Sequence, residues 1–361
     1  MKTIAYYISD YGYGHASRSI AVIRSLLKDP EARIIVCHSF ALSFIKDSLN
    51  SNRVSYRNIN TDVGYFLVED SIQPDRAQLL EEYKKFVANW GDKIEQEKEY
   101  LKQNEVDLVV SDISSLPFEA AERIGIPAIG LSNFTWYMAY QGLIEEKELH
   151  PIKAAYQKMT HFFSLAGSYE AWNVTTKQYG FFSREVNLKE VKRIRGLINP
   201  NGQKHVVFLG LGMKIGVDSL EMFPIWDSPD CVFIVSSNVH VNRSNVFRIP
   251  SDYLESQNYI ATSDLVISKA GWGMIGEALH ANVPLLILNR PSMKEDQNTI
   301  KYLKNNYLCH TIDWDEFKSY QLDQSFMKGI KRVVNENGSV NNHEADQIAI
   351  DILQIINIYT L

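Results

Sequence analysis

Apolar residues in this chain fall into short unbroken runs separated by amphipathic or polar stretches, the pattern of strands covered on both faces by helices. Thr3 to Ile8 is the first such run, and Ile20, Ile23, Leu26 and Leu27 then recur at helical spacing. Ala32 to Cys37 predicts a second strand followed by a helix over Phe40 to Leu49, and Val54 to Ile59 a third strand. Asp62 to Phe66 breaks the pattern, and Pro74 to Asn104 predicts one long polar helix with Leu79, Leu80, Tyr83, Phe86 and Trp90 along one side. Asp107 to Val110 and Ala128 to Leu131 read as strands flanking a helix over Phe118 to Ile124. Asn187 to Lys204, polar and carrying Pro200 and Gly202, reads as a linker. The alternation then restarts with strands at His205 to Leu209, Val232 to Ser236, Phe247 to Ile249, Leu265 to Ile267, Pro284 to Leu288 and Cys309 to Ile312. His343 to Tyr359 predicts an amphipathic terminal helix. Two such series predict an α/β chain with an N-terminal domain over residues 1–190 and a second over 200–340.

A length of 361 residues exceeds what one core usually holds, so two domains are expected on size as well. A net charge of -6 argues against a broad nucleic-acid-binding face. No apolar run approaches the roughly 20 residues needed to span a bilayer, and the first residues run straight into a strand, so a cytoplasmic protein is expected. Cys37, Cys231 and Cys309 lie far apart, which makes disulfides and zinc unexpected.

Candidate chemistry sits where glycines follow strands. Strand one runs into Ser9-Asp10-Tyr11-Gly12-Tyr13-Gly14-His15-Ala16-Ser17-Arg18, where Gly12 and Gly14 permit close approach and His15 stands at a helix N-terminus. Asp112 ends another strand on the same sheet edge, so it is a candidate partner for His15 Nδ1. Other readings make His15 a positioning or capping residue and Asp112 a cap of the next helix. In the second series, Gly210-Leu211-Gly212-Met213-Lys214 follows one strand, and Lys269-Ala270-Gly271-Trp272-Gly273 another, ahead of a helix over Met274 to His280. Glycines and helix amides together make an anion site, although a plain packing unit uses glycines too. Aromatic residues crowd from Tyr137 to Phe182, and core, a binding groove and a membrane-facing surface all remain open for them. Asp313-Trp314-Asp315 spells a metal-binding Asp-x-Asp, but its position before a helix suggests that its carboxylates satisfy helix N–H groups.

The run Ser263 to Gly271, with Gly276-Glu277-Ala278-Leu279, Pro284 and Asp296-Gln297-Asn298, resembles the donor half of GT-B glycosyltransferases. In pattern it is similar to the enzyme that adds N-acetylglucosamine in peptidoglycan synthesis and to the N-terminal half of plant L-arabinokinase. Gly12-Tyr13-Gly14-His15-Ala16 and Leu108 to Trp136 resemble the arabinokinase half as well. The resemblance implies two Rossmann-like domains facing across a cleft, with the terminal helix packing back on the first. It implies metal-independent transfer of a hexosyl or N-acetylhexosaminyl group from a UDP-sugar to a small-molecule, lipid-linked or macromolecular acceptor, with no cofactor. Carried over residue by residue, it makes His15 the general base, and Asp112, from its place at a strand end on the same sheet edge, is expected to orient the ring. Donor contacts fall to Gly12, Gly14, Gly212, Lys214, Lys269, Gly271 and Gly273, with Glu277 on the ribose and Asp296 and Gln297 on the sugar. Met274 stands where many relatives carry a hydroxyl residue. An epimerase, a hydrolase or a nucleotide-sugar sensor on the same fold stays open.

Overall fold

A computed structural model describes residues 1–69, 71–212, 218–307, 309–330 and 343–359. The chain divides into two compact units, one of Met1–Phe66, Pro74–Gly180 and His343–Leu361, the other of Leu67–Gln73 and Phe181–Asn342.

In the first unit β1 (Lys2–Ile8), β2 (Ala32–His38), β3 (Val54–Asn58), β4 (Leu108–Asp112), β5 (Ala128–Ser132), β6 (His161–Leu165) and β7 (Thr175–Tyr179) form one sheet. Their order is β3-β2-β1-β4-β5-β6-β7, parallel throughout. Strands buried on both faces need apolar residues at every position, which is why Ile4 to Ile8 are all fully buried. The winding reverses between β1 and β4, so the loops leaving those strands emerge side by side, with Ile8 in register with Asp112. Ligands of open α/β sheets bind at such a reversal.

Two expectations for this unit need correction. The long polar helix is two helices, Arg76–Val87 and Trp90–Gln103, because Ala88 leaves helical geometry and Asn89 turns left-handed at φ 56. Asparagine is among the few residues that tolerate this turn. The aromatic stretch supplies β6 and β7, which pattern reading missed; β7 is an edge strand with four of its five positions exposed, so it carries no apolar run. The terminal helix Glu344–Tyr359 buries Ile348, Ile352 and Ile356. Its Asp346 accepts from Ser25 Oγ at 2.6 Å, and its Asp351 from Tyr179 Oη at 2.7 Å, both within the first unit.

The second unit holds β8 (His205–Gly210), β9 (Cys231–Val235), β10 (Val246–Arg248), β11 (Leu265–Lys269), β12 (Leu285–Asn289) and β13 (His310–Asp313). The order is β10-β9-β8-β11-β12-β13, again parallel, with the reversal between β8 and β11. The stretch read as a linker contains a helix, Leu188–Ile198, started by Asn187 Oδ1 accepting from the Lys189 amide at 3.0 Å. Its Lys189, Lys192 and Arg193 form the solvent face of a helix that buries Ile194 and Ile198, while Arg195 pairs with Asp264 at 2.9 Å. Each unit is thus a Rossmann-like α/β layer structure.

Candidate active site

In the first unit the chain leaves β1 through Gly12, which takes φ +93 and starts the helix Tyr13–Leu26. A Cβ there would meet nothing within 4 Å, so the need for glycine is conformational rather than steric. Gly14 lies within the helix and also has open space around it. His15, 9% exposed, sits in the first turn with Nδ1 3.1 Å from Asp112 Oδ1. Arg18, one turn on and fully buried, donates Nε to Asp112 Oδ2 at 2.6 Å and a second N–H to Oδ1 at 2.5 Å. A third Arg18 N–H reaches Asn133 Oδ1 at 2.7 Å, and Ser19 Oγ donates to Asp112 Oδ2 at 3.1 Å. Burial alone would raise the Asp112 pKa, but Arg18 and then His15 outweigh it and hold the carboxyl at about 2. An ionised Asp112 accepts the Nδ1 proton, which makes Nε2 the nitrogen able to take another. Pattern reading named Arg18 within the glycine-loop run but gave neither it nor Asn133 a role; the available signal was that Arg18 lies three residues after His15, on the same helix face.

Backbone strain follows directly. Ile113, next after Asp112, has φ 72, a conformation that costs a β-branched residue on the order of 1–3 kcal/mol. Tyr156 Oη donates to the Ile113 carbonyl at 2.5 Å and holds it there.

A pair of carboxyl groups, Asp10 and Asp62, lies beside the glycine loop. Asp10 accepts from the amides of Ser39 at 2.8 Å, Phe40 at 3.1 Å and Thr61 at 2.9 Å, with His38 Nδ1 at 3.0 Å. Burial opposes ionisation of Asp10, but His38 and the Thr61 and Ser39 amides overcome it and bring the carboxyl to about 2. Asp62 accepts from the Asp10 amide at 3.1 Å and from Trp136 Nε1 at 2.8 Å. Its burial, and then the charge of Asp10, push it up to about 7. Neither was singled out from sequence, because their partners are mostly backbone amides, which leave no residue signature.

In the second unit the helix after β11 is Trp272–His280, two residues earlier than expected, so Gly273 lies inside it. Gly271 precedes it with φ -71, which any residue adopts, so its backbone conformation does not by itself require glycine. Gly212, after β8, does need glycine: φ is +87 and a Cβ would lie 3.1 Å from Lys269 Cε. Gly212, Gly271 and Lys269 are thereby brought together at the sheet reversal, next to the helix N-terminus. Met274, in place of a hydroxyl residue, fills the space that a Cβ on Gly210 would need. Lys214 lies outside the described residues.

Glu277 is 6% exposed, and its Oε1 accepts from fully buried Arg184 at 2.9 Å. Arg184 also binds the Leu254 carbonyl at 2.7 Å. Asp296 is 1% exposed and gives both oxygens to Arg290, at 2.6 and 2.7 Å, while Gln297 Nε2 donates to Asn289 Oδ1 at 2.9 Å. The expected Asp-Gln pair is therefore split, with the carboxylate committed to an arginine. Asp313 occupies the N-cap position of the helix Trp314–Phe317 but makes no capping bond; its Oδ1 accepts from Asn289 Nδ2 at 2.9 Å. The capping expectation for Asp313 is corrected accordingly, and Asp315 pairs with Lys318 at 2.9 Å on the surface.

Two family models match the chain: glycosyl transferase family 1 over residues 2–160, and the glycosyltransferase family 28 C-terminal domain over residues 239–349. L-arabinokinase of Arabidopsis thaliana is 24% identical over 306 residues, which are 81% of this chain. The chain spans only 28% of that relative's length. Among solved structures, a calicheamicin glycosyltransferase superposes with a TM-score of 0.59 at 14% identity, covering 98% of this chain and 95% of its own. A Medicago truncatula glycosyltransferase complexed with UDP-glucose gives 0.59 at 14% identity, with 100% and 98% covered. A candidate UDP-N-acetylglucosamine 2-epimerase of Listeria monocytogenes gives 0.53 at 12% identity, with 96% and 94% covered. At these identities the likeness is one of fold. No helix among the described residues is long and apolar enough to cross a membrane.

Proposed function

Because the chain belongs to the GT-B glycosyltransferase superfamily, we propose that it moves a sugar from a UDP-sugar to an acceptor hydroxyl, with His15 as general base. The observation that carries this reading is His15 Nδ1 held 3.1 Å from a carboxylate kept ionised by Arg18. An alcohol has a pKa far above 7 and attacks an anomeric carbon poorly until a base takes its proton. His15 Nε2 takes that proton as the acceptor oxygen bonds to the anomeric carbon and the bond from that carbon to the diphosphate breaks. Asp112 fixes the ring and stabilises the imidazolium that results.

The departing diphosphate is negative, and the second unit offers it the Trp272–His280 helix N-terminus with Gly273 in its first turn, Lys269 and the glycine turns at Gly212 and Gly271. In this reading those groups do the work of a divalent cation, Glu277 accepts ribose hydroxyls through the oxygen not given to Arg184, and Gln297 reaches the sugar. Asp296 serves by fixing Arg290, and Gly12 and Gly14 keep side chains away from the donor. The test is UDP release from UDP-glucose and UDP-N-acetylglucosamine in the presence of pooled alcohols and glycosides. Release should survive EDTA and fall by roughly a hundred- to ten-thousandfold in His15→Ala. Loss in EDTA with rescue by Mn²⁺ contradicts the metal-free reading. Free sugar or its epimer formed without acceptor assigns the site to a hydrolase or epimerase instead.

A further inference from the structure

A cavity of about 670 Å³ opens in the first unit, away from the glycine loop, between the segments that leave β5 and β6. Tyr137, Tyr169 and Trp172 supply aromatic surface, and Gln157, Glu170 and Asn173 supply polar groups. Glu170 receives one bond on each oxygen from Thr135, from its hydroxyl at 2.5 Å and its amide at 2.6 Å, so each oxygen keeps a lone pair. The Trp172 indole N–H is buried with no partner among the described residues.

We propose that this cavity binds a carbohydrate ring, and hence that the acceptor is a sugar or glycoside. Sugar rings present C–H faces that lie against aromatic rings and hydroxyl edges that pair with carboxylate and amide side chains, and the cavity offers both surfaces in one place. A flat aromatic alcohol would use the rings and leave Glu170 and the amides unmatched. An anion would meet the carboxyl of Glu170, and Lys153, which also lines the cavity, is already paired with Glu146 at 3.2 Å. The cavity is joined to the catalytic pair by three consecutive residues. Asn133 binds Arg18 at 2.7 Å, Phe134 packs on the His15 ring with centroids 6.2 Å apart, and Thr135 holds Glu170. A sugar seated against Glu170 would thus be registered against His15 by one short loop.

The inference rests on the transfer reading, and the test separates the two. Binding of the methyl glycosides of glucose, galactose, N-acetylglucosamine and arabinose to the full chain is measured by saturation-transfer NMR, with 4-nitrophenol as the aromatic comparison and UDP-glucose titrated separately. At least one glycoside should bind, and Trp172→Ala should weaken it about tenfold or more. Because Trp172 packs on Tyr156 at 5.6 Å and its loss strains the fold, the exposed pair Gln157→Ala with Asn173→Ala serves as the second variant and should weaken it too. The inference is overturned if no glycoside binds, if neither variant changes binding, or if only 4-nitrophenol responds to them. Glycoside binding in a chain that ignores UDP-glucose would overturn the transfer reading and leave the cavity's assignment standing.

Discussion

Asp112 accepts four hydrogen bonds, two of them from a single buried guanidinium, and this decides how it responds to substitution. Removing one partner of a buried ion pair costs about 3–5 kcal/mol, so Asp112→Asn should lower the unfolding midpoint in urea as well as the rate. His15→Ala leaves the Arg18 pair intact and should unfold close to wild type, so its rate loss reads chemistry alone. Glu277 follows the same rule, because Arg184 depends on it. Glu277→Gln should therefore also lower the unfolding midpoint, and its folded fraction should bind UDP about tenfold more weakly, roughly 1.4 kcal/mol, as measured by calorimetry. Asp62 makes a pH prediction. Its folded value of about 7 stands above the ordinary 3.8, so stability from the neutral carboxyl is complete below the lower value and lost as pH rises through the upper. Relative to Asp62→Asn, wild type should lose on the order of 2–4 kcal/mol between about pH 5 and pH 8; a difference independent of pH contradicts this. The His15 and Asp112 juxtaposition was readable from sequence because a glycine loop and a strand-ending carboxylate share a sheet edge. The Arg18 contact was not, since a motif states that an arginine is present and not what it holds.

Glycines illustrate how far pattern reaches into the elements. Gly276 was noticed only as part of a run, yet a Cβ there would stand 2.7 Å from the Phe182 carbonyl oxygen, a backbone atom that cannot swing aside. Gly276→Ala should therefore cost about 1–3 kcal/mol of stability while the folded fraction keeps its affinity for UDP; unchanged denaturation would refute the clash. Gly12→Ala meets open space but must hold φ 93 with ψ 171, a region that only glycine adopts readily, costing about 1–3 kcal/mol. Buried parallel strands were legible because burial on both faces demands continuous apolar residues. The edge strand Thr175–Tyr179 was not, since exposure removes that demand. The break at Asn89 also escaped, because a polar helix interrupted by one left-handed residue keeps the composition of an unbroken one.

The chain returns at its end to the unit that holds His15, for the Glu344–Tyr359 helix packs on Tyr13–Leu26 and buries Ile348, Ile352 and Ile356. Deleting residues 343–361 should destabilise the first unit and abolish transfer, while the second unit's core around Phe233, Ile267 and Leu286 keeps its protection in hydrogen exchange. Uniform loss of protection would show instead that the units unfold as one. Transfer from a nucleotide sugar requires above all that the donor bind. The deciding experiment is thermal and calorimetric titration of the wild-type chain with UDP-glucose, UDP-N-acetylglucosamine, UDP and 2′-deoxy-UDP. The proposed function predicts that a UDP-sugar at about 100 times its dissociation constant adds roughly 2.7 kcal/mol of stability. It also predicts that the deoxy nucleotide binds more weakly in wild type but not in Glu277→Gln, and that His15→Ala binds the donor as wild type does. A chain that gains no stability from any of these nucleotides at millimolar concentration would contradict it.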